Sequence, residues 1–378
     1  VASLGVVSFF TDVSTEMILG VLPFFVITEL HATKAMLGVM EGAAEGLSYL
    51  FRAFSGVFSD RMGRRKPLVL LGYALSTVSK PFFAAAATWT HAFTIRLADR
   101  VGKGVRTAPR DALLSESVSE RRAGSAFGLH RSLDQLGAIL GPSLAFVLLP
   151  MMGVRGLFLV SLIPGTLALF VLVFIVRDRR GFGQSKGVLT NARAVLTRRF
   201  GLLLLVLGIF ALGAYNFSFV LVKAGELGAD APTVALVYAV LNVGTVLAGL
   251  PAGVMADRFG KGRILIIGFA LFALSSVVGL MTTHGVALAF LIALIFGLYL
   301  GISESVQRAL IPSYVPADLK GTAYGVYYLV VGSCAFAANL VFGALWDQAG
   351  MAAAYTYSLV VSIIATMGLG ALLVLGQT

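Results

Sequence analysis

The sequence predicts an all-α membrane protein: twelve transmembrane helices arranged as two pseudo-symmetric bundles of six. Three observations carry this. Of 378 residues, 58% are hydrophobic and only 12% charged, whereas a water-soluble domain needs roughly 25% charged residues to cover itself. Apolar runs long enough to span a bilayer, about 20 residues each, occur twelve times. The second half of the chain also repeats features of the first at one constant offset.

In order, the runs fall at 2–29, 35–58, 67–88, 91–115, 123–149, 154–176, 201–227, 233–256, 264–283, 286–313, 321–346 and 351–376. They are continuous, and the chain's 43 glycines suit close helix packing in lipid. A barrel would need short alternating strands between polar turns. The one long connection is the basic stretch from Arg177 to Arg199. It divides the chain into an N-terminal bundle at 1–180, a linker at 181–200 and a C-terminal bundle at 201–378. Seventeen Lys and Arg residues of the loops gather on one side, against Lys34 and Arg155 on the other. The rich side is cytoplasmic, and both termini with it. The net charge of +11 is therefore topology at an anionic leaflet rather than a nucleic-acid footprint. A single cysteine, Cys334, excludes an internal disulfide.

The repeat has an offset of 197 residues. Gly56, Asp60, Arg61 and Gly63 recur as Gly253, Asp257, Arg258 and Gly260, and Ala112, Leu113 and Gly128 recur as Ala309, Leu310 and Gly325. Glu29 and Leu30 recur as Glu226 and Leu227. Two duplicated bundles with a site near the midplane describe an alternating-access carrier.

These residues also carry a family resemblance. The segment GVFSDRMGRRK, with Gly56, Asp60, Arg61, Gly63, Arg64 and Arg65, resembles motif A of the major facilitator superfamily, and GVMADRFGKGR, with Asp257 and Arg258, resembles its degenerate second copy. RVGKGVRTA places Arg100, Gly104 and Ala108 as in motif B, with Lys103 where the family usually has Gln. Gly128, Gly137, Gly141 and Pro142 are similar to the core of motif C, with Ala145 and Phe146 in place of its closing glycines. The resemblance runs through the whole chain. It implies a transporter rather than an enzyme, and through motif C it leans towards drug/proton antiporters. It further implies a multi-pass inner-membrane protein that works as a monomer on a small-molecule substrate and protons. Motif A reads physically as a gate: Asp60 can cap a neighbouring helix N-terminus and pair with arginines, holding one access state.

Charges inside the spans are the most informative residues. Ten of the 29 basic residues lie there: Arg52, Lys80, Arg96, Arg100, Lys103, Arg106, Arg110, Arg131, Lys223 and Arg308. Each costs about 2.5–3.5 kcal/mol at a helix centre and must pair, reach water or sit near an interface. In the fourth span Arg96, Asp99, Arg100, Lys103, Arg106, Arg110 and Asp111 share one face, within an arc of about 140°. Acids face them: Asp12 and Glu16 in the first span, Glu41 and Glu45 in the second, and Asp134 beside Arg131 in the fifth. Eight basic residues against seven acids point to an ion-pair network. A carboxylate that changes partner in such a network can carry a proton. The candidates for coupling are Asp12, Glu16, Glu41, Glu45, Arg52, Asp99, Arg100, Arg131 and Asp134. The C-terminal half offers Asn216, Tyr238, Asn242 and the i to i+4 pair Glu304 and Arg308; with Arg96, Lys103 and Arg106 these are the substrate-binding candidates.

No Walker A, GxGxxG or HExxH motif occurs, and His31, His91, His130 and His284 are scattered. Neither a cofactor nor a bound metal is expected. Three transport readings remain open. The first is proton-coupled export of a small amphipathic compound. The second is transport of an anionic solute, such as an organic acid or carboxylate siderophore, with Arg96, Arg100, Lys103 and Arg131 as ligands. The third is a metal-ion carrier using the acidic pairs.

Overall fold

The computed structural model describes residues 2–62, 65–116, 123–176, 195–315 and 319–375. Among the described residues every regular element is helical. The N-terminal half contributes α1 (Ala2–Leu19), α2 (Leu22–Thr28), α3 (Lys34–Met62), α4 (Lys66–Ser79) with a 3-10 turn at Lys80–Ala85, α5 (Trp89–Glu116), α6 (Ala123–Val160) and α7 (Leu162–Phe174). The C-terminal half contributes α8 (Arg198–Gly213), α9 (Phe217–Glu226), α10 (Ala231–Phe259), α11 (Lys261–Met281), α12 (Val286–Leu310) with a 3-10 turn at Ile311–Ser313, α13 (Lys320–Ala349) and α14 (Met351–Val374). The duplication shows in these bounds: both ends of α10 lie 197 residues beyond those of α3, and α12 starts 197 residues beyond α5.

Among the described residues nine helical stretches are long and apolar enough to cross a membrane. Twelve apolar runs are present in the sequence, and three physical features account for the difference. Six charged side chains interrupt α3 and eight interrupt α5, so neither passes on hydropathy. The stretch Gly128–Phe174 counts as one at 47 residues, more than twice what one crossing needs. It breaks at Gly153, whose φ of +67° only glycine adopts readily. Large apolar side chains also stay exposed, among them Met151, Leu250, Phe54 and Val374, a surface that suits lipid and not water.

Breaks within single runs have local causes. Pro23 near the start of α2 cannot donate into the preceding turn, so α1 and α2 part at Gly20–Val21. Between α8 and α9 the side chain of Asn216 accepts from Ser218 N at 2.9 Å as an N-cap. The backbone N–H of Asn216 is in turn satisfied by Asn339 Oδ1 of α13 at 2.8 Å.

The chain forms two compact units. One comprises Val1–Ala32, Ala43–Gly187 and Asp230–Ala239; the other comprises Thr33–Gly42, Val188–Ala229 and Val240–Thr378. In the first, α1 packs on α6 and α7, and α4 on α5 and α7. Its core joins Leu4 and Val7, Val69 and Tyr73, Leu113 and Leu114, and Ala168 and Leu172. In the second, α8 packs on α13 and α14, and α11 on α12 and α14. The two sets of pairings are the same under the repeat. The core of the second unit is aromatic: Phe210 and Phe269 stack with centroids 3.6 Å apart, and Tyr215 meets Phe272, Phe296 and Phe342.

Candidate functional site

The charges concentrate in the first unit, where α5 brings its polar face against α1, α4 and α6. Three clusters result. In the first, Asp99 is buried with all its acceptors engaged: Ser76 Oγ donates to Oδ1 at 2.6 Å, and Arg96 Nη1 and Arg100 Nε stand 3.6 and 3.4 Å from Oδ2. Removing one member of a buried ion pair costs more than the pair itself contributes, so this carboxylate has the surroundings of a counter-ion. Close by, Lys80 is buried and donates to Ser14 Oγ at 3.0 Å and Thr15 Oγ1 at 2.9 Å.

The second cluster lies near the end of α5. Asp111 Oδ1 accepts from Arg110 Nε and Nη2 at 3.0 and 2.8 Å, and Asp111 Oδ2 stands 3.6 Å from Arg52 Nη2. Arg110 also reaches Ser8 Oγ at 3.3 Å. The third cluster is looser. Tyr238 OH donates to Glu16 Oε2 at 2.6 Å. Asp12 and Lys103 make no hydrogen bond or salt bridge among the described residues, though Asp12 lies in the field of Asp134, Glu16, Lys103 and Arg106. Arg106 is buried over the Tyr73 ring, 4.3 Å from its centroid, with no hydrogen-bond acceptor at Nε or Nη1 among the described residues.

The antiporter-like glycines hold α6 against this acidic face of α1. A Cβ added at Gly137 would lie 2.6 Å from Phe9 O and 3.0 Å from Asp12 Cβ; one at Gly141 would lie 2.8 Å from Val13 O and 3.0 Å from Glu16 Cβ. Both distances are too short for a side chain, so glycine at these positions is what lets the two helices touch. Pro142 follows inside the helix, while Gly128 meets nothing within 4 Å. On the next turns of α6, His130 Nδ1 stands 3.5 Å from Asp134 Oδ2. Arg131 turns to Gln135, whose side-chain oxygen, in the amide orientation that satisfies both groups, accepts from Nη2 and Nε at 3.1 Å. The acid and base placed side by side in sequence thus take other partners.

Other candidates stand apart. Glu41 is buried in the first turns of α3, which belong to the second unit, while Glu45 and Arg52 belong to the first. Asn242 is buried in the second unit. Glu304 and Arg308 lie 3.8 Å apart, both nearly half exposed, and Arg308 Nε also donates to Glu304 O at 2.9 Å. Of the motif A residues, Gly63, Arg64 and the side chains of Asp60 and Arg61 lie outside the described residues, as does the linker at 177–194. Arg65 is buried and donates to Ser59 Oγ at 3.3 Å, and Gly56 faces Ala108 of α5. Asp257 and Arg258 are exposed. Ser76, Ser14, Thr15, Ser8 and Tyr73 complete the network without having been singled out, because a hydroxyl on an apolar helix has no spacing that marks it; His130, one of the scattered histidines, joins it through Asp134. Among the described residues no group of three His, Cys, Asp or Glu could hold a metal ion.

Comparison with known proteins adds to this geometry. The family model described as the Major Facilitator Superfamily matches residues 4–222 and 201–377. An uncharacterized MFS-type transporter of Methanocaldococcus jannaschii is 30% identical over 351 residues, covering 91% of this chain and 87% of that protein. Multidrug resistance protein MdtG of Escherichia coli is 25% identical over 272 residues, 68% of this chain and 66% of its own length. Multidrug resistance protein MdtL of Klebsiella pneumoniae is 23% identical over 280 residues, 72% and 71% of the two chains. Among solved structures, a mutant of the nucleoside transporter NupG superposes with a TM-score of 0.84 at 12% identity over 98% of both chains. A bacterial homolog of the human lysosomal transporter Spinster gives 0.77 at 15% identity, over 98% of this chain and 95% of that one.

Proposed function

The chain belongs to the Major Facilitator Superfamily and is a multi-pass membrane transporter of small molecules, and from this premise we propose that it exports an amphipathic compound in exchange for protons. One observation carries the reading: the acidic face of α1, with Asp12 and Glu16, is pressed against the antiporter-like glycines Gly137 and Gly141 of α6. Similarity to MdtG and MdtL supports it. In this reading the repeat halves 1–180 and 201–378 carry the transport cycle, and the monomer is the transporting unit. The inner membrane is its site, and both termini face the cytoplasm. Asp60 and its neighbours Gly56, Arg61, Gly63, Arg64 and Arg65 serve as the gate, with Asp257 and Arg258 as the second copy. Asp99 holds Arg96 and Arg100 in place, and the looser acids are the ones that exchange protons.

The test is flux in proteoliposomes under an imposed pH gradient, with a panel of cationic, neutral and anionic amphiphiles. Gradient-driven movement of cations or neutral amphiphiles is expected; flux indifferent to the gradient for every compound refutes proton exchange. One observation favours a second reading, transport of an anionic solute. Lys103 and the Nε and Nη1 groups of Arg106 have no hydrogen-bonded partner among the described residues, and such donors suit a carboxylate. Saturable flux of carboxylates alone, lost in Arg106→Gln and Lys103→Gln, would decide for it.

A further inference from the structure

The offset of 197 residues also sets the last turns of α12 and the first turns of α13 against those of α5 and α6. Arg106, Arg110, His130 and Arg131 of the first half correspond to Ser303, Gln307, Tyr327 and Tyr328 of the second. Where one copy carries ionisable groups, the other carries neutral hydrogen-bonding groups and phenols. Tyr324, one turn before Tyr328, corresponds to Phe127 and adds a third phenol.

All of these second-half residues belong to the second unit. Tyr327 is buried, and its hydroxyl donates to Gln307 Oε1 at 2.9 Å, while Gln307 Nε2 donates to Ser303 Oγ at 3.2 Å. Tyr324 OH donates to Arg308 O at 2.9 Å. Two phenols of α13 are thus pinned to α12. The rings of Tyr324 and Tyr328 are nearly parallel, 25° apart with centroids separated by 6.3 Å, and Tyr328 leans on Tyr327 at 5.2 Å. Unlike Tyr327, both stay partly exposed. Tyr327 lies in the field of Arg308 and Glu304, whose side chains are 41% and 46% exposed. Charged side chains exposed on a membrane-crossing helix face water rather than lipid, so the two rings stand beside an aqueous face.

We propose that Tyr324 and Tyr328 are the platform on which a planar aromatic part of the exported compound lies. The inference rests on the reading above that the cargo is amphipathic, and it names the apolar part as an aromatic ring. A phenol fixed through its hydroxyl has given up rotamer freedom before the ligand arrives, so Tyr324 binds without that cost. Two nearly parallel rings can turn their faces to one flat partner, a match that an offset stack rewards and an aliphatic chain lacks. The electron-rich faces accept a cationic ring as well as a neutral one. Helix packing explains Tyr327, which is buried, but not why its two neighbours keep open rings beside a wet charge pair.

The experiment uses the full chain in detergent, with no gradient. Ethidium binding is read by fluorescence anisotropy, with 9-aminoacridine, neutral acridone and non-aromatic tetrapropylammonium as competitors. Both flat competitors should displace ethidium, and tetrapropylammonium should not. Tyr324→Leu and Tyr328→Leu should each raise the ethidium Kd about three- to tenfold, whereas Tyr328→Phe, which keeps the ring, should stay within about twofold of the wild type. In a Cys334→Ser background, saturating ethidium should slow maleimide labelling of Glu304→Cys, a readout that decides even if a leucine variant does not fold. Displacement by tetrapropylammonium as effective as by acridone overturns ring recognition. A Kd unchanged in both leucine variants, or labelling of Glu304→Cys at one rate with and without ethidium, overturns the placement. Absence of saturable ethidium binding to the wild type overturns the proposal outright. Flux of the whole amphiphile panel indifferent to the gradient overturns the proton-exchange reading instead, and is told apart because binding in detergent needs no gradient.

Discussion

Asp99 and Glu16 are carboxylates of the same unit with different surroundings. Asp99 is enclosed by Ser76, Arg96 and Arg100, while Glu16 has a single phenol donor among the described residues. Asp99→Asn removes the buried charge that Arg96 and Arg100 share, so it should destabilise the protein by about 3–5 kcal/mol. Thermal unfolding in detergent should show an early transition, with Glu16→Gln as a control that stays within about 1 kcal/mol of the wild type. An Asp99→Asn protein as stable as the wild type would refute the clamp. The one-sided charge of α5 was legible, because helical spacing places residues 96 to 111 on one face. Partner choice was not. Lys80 could be recognised as a buried cation, but it is satisfied by the hydroxyls of Ser14 and Thr15, which no rule for pairing acid with base would find. His130 took the Asp134 that the spacing put beside Arg131.

At the scale of elements, the α1 and α6 contact depends on what is missing from α6. A Cβ at Gly137 would sit 2.6 Å from the Phe9 carbonyl, whereas one at Gly128 meets nothing within 4 Å. Gly137→Val should therefore cost about 1–3 kcal/mol through overpacking, and Gly128→Ala should leave the unfolding midpoint unchanged; equal effects would show that the motif acts otherwise than by packing. A second element, α10, is preceded by Asp230, whose Oδ1 accepts from Thr233 N at 3.0 Å. Hydrogen bonds to the ionised form from the Thr233 side chain first and from its backbone N–H second hold the Asp230 pKa below its ordinary value. The cap's contribution is therefore full above that ordinary value, about 3.9 for a free Asp side chain, and fades as the pH falls below it. Asp230→Ala should lower the unfolding midpoint at neutral pH, with a gap that narrows on acidification; a gap that widens would contradict the cap. The break between α8 and α9 shows why element boundaries were less legible. Asn216 is a single polar residue in an apolar run, and the partner that satisfies its N–H, Asn339, lies 123 residues away in sequence.

For the whole molecule the duplication was readable because it preserves spacing, and the coincidence of α3 with α10 at both ends gives that spacing a structural form. The same offset relates Glu29 to Glu226, and each neutralises one of the two cations assigned to the outer side: Arg155 Nε stands 3.4 Å from Glu29 Oε2, and Lys34 Nζ stands 3.3 Å from Glu226 Oε1. The expected orientation rests instead on the sequence count of Lys and Arg in the loops, since that count, and not net charge, orients a membrane chain during insertion. Orientation can be tested with one reactive site at a time, since Cys334 is the only native cysteine. In a Cys334→Ser background, Thr283→Cys, at an exposed position after α11, should react with a membrane-impermeant maleimide on intact cells. Ser185→Cys, in the basic linker, should react only once the membrane is opened. The reverse pattern would invert the topology and place the motif A loop on the outer face, removing the ground for reading Asp60 as part of a cytoplasmic gate.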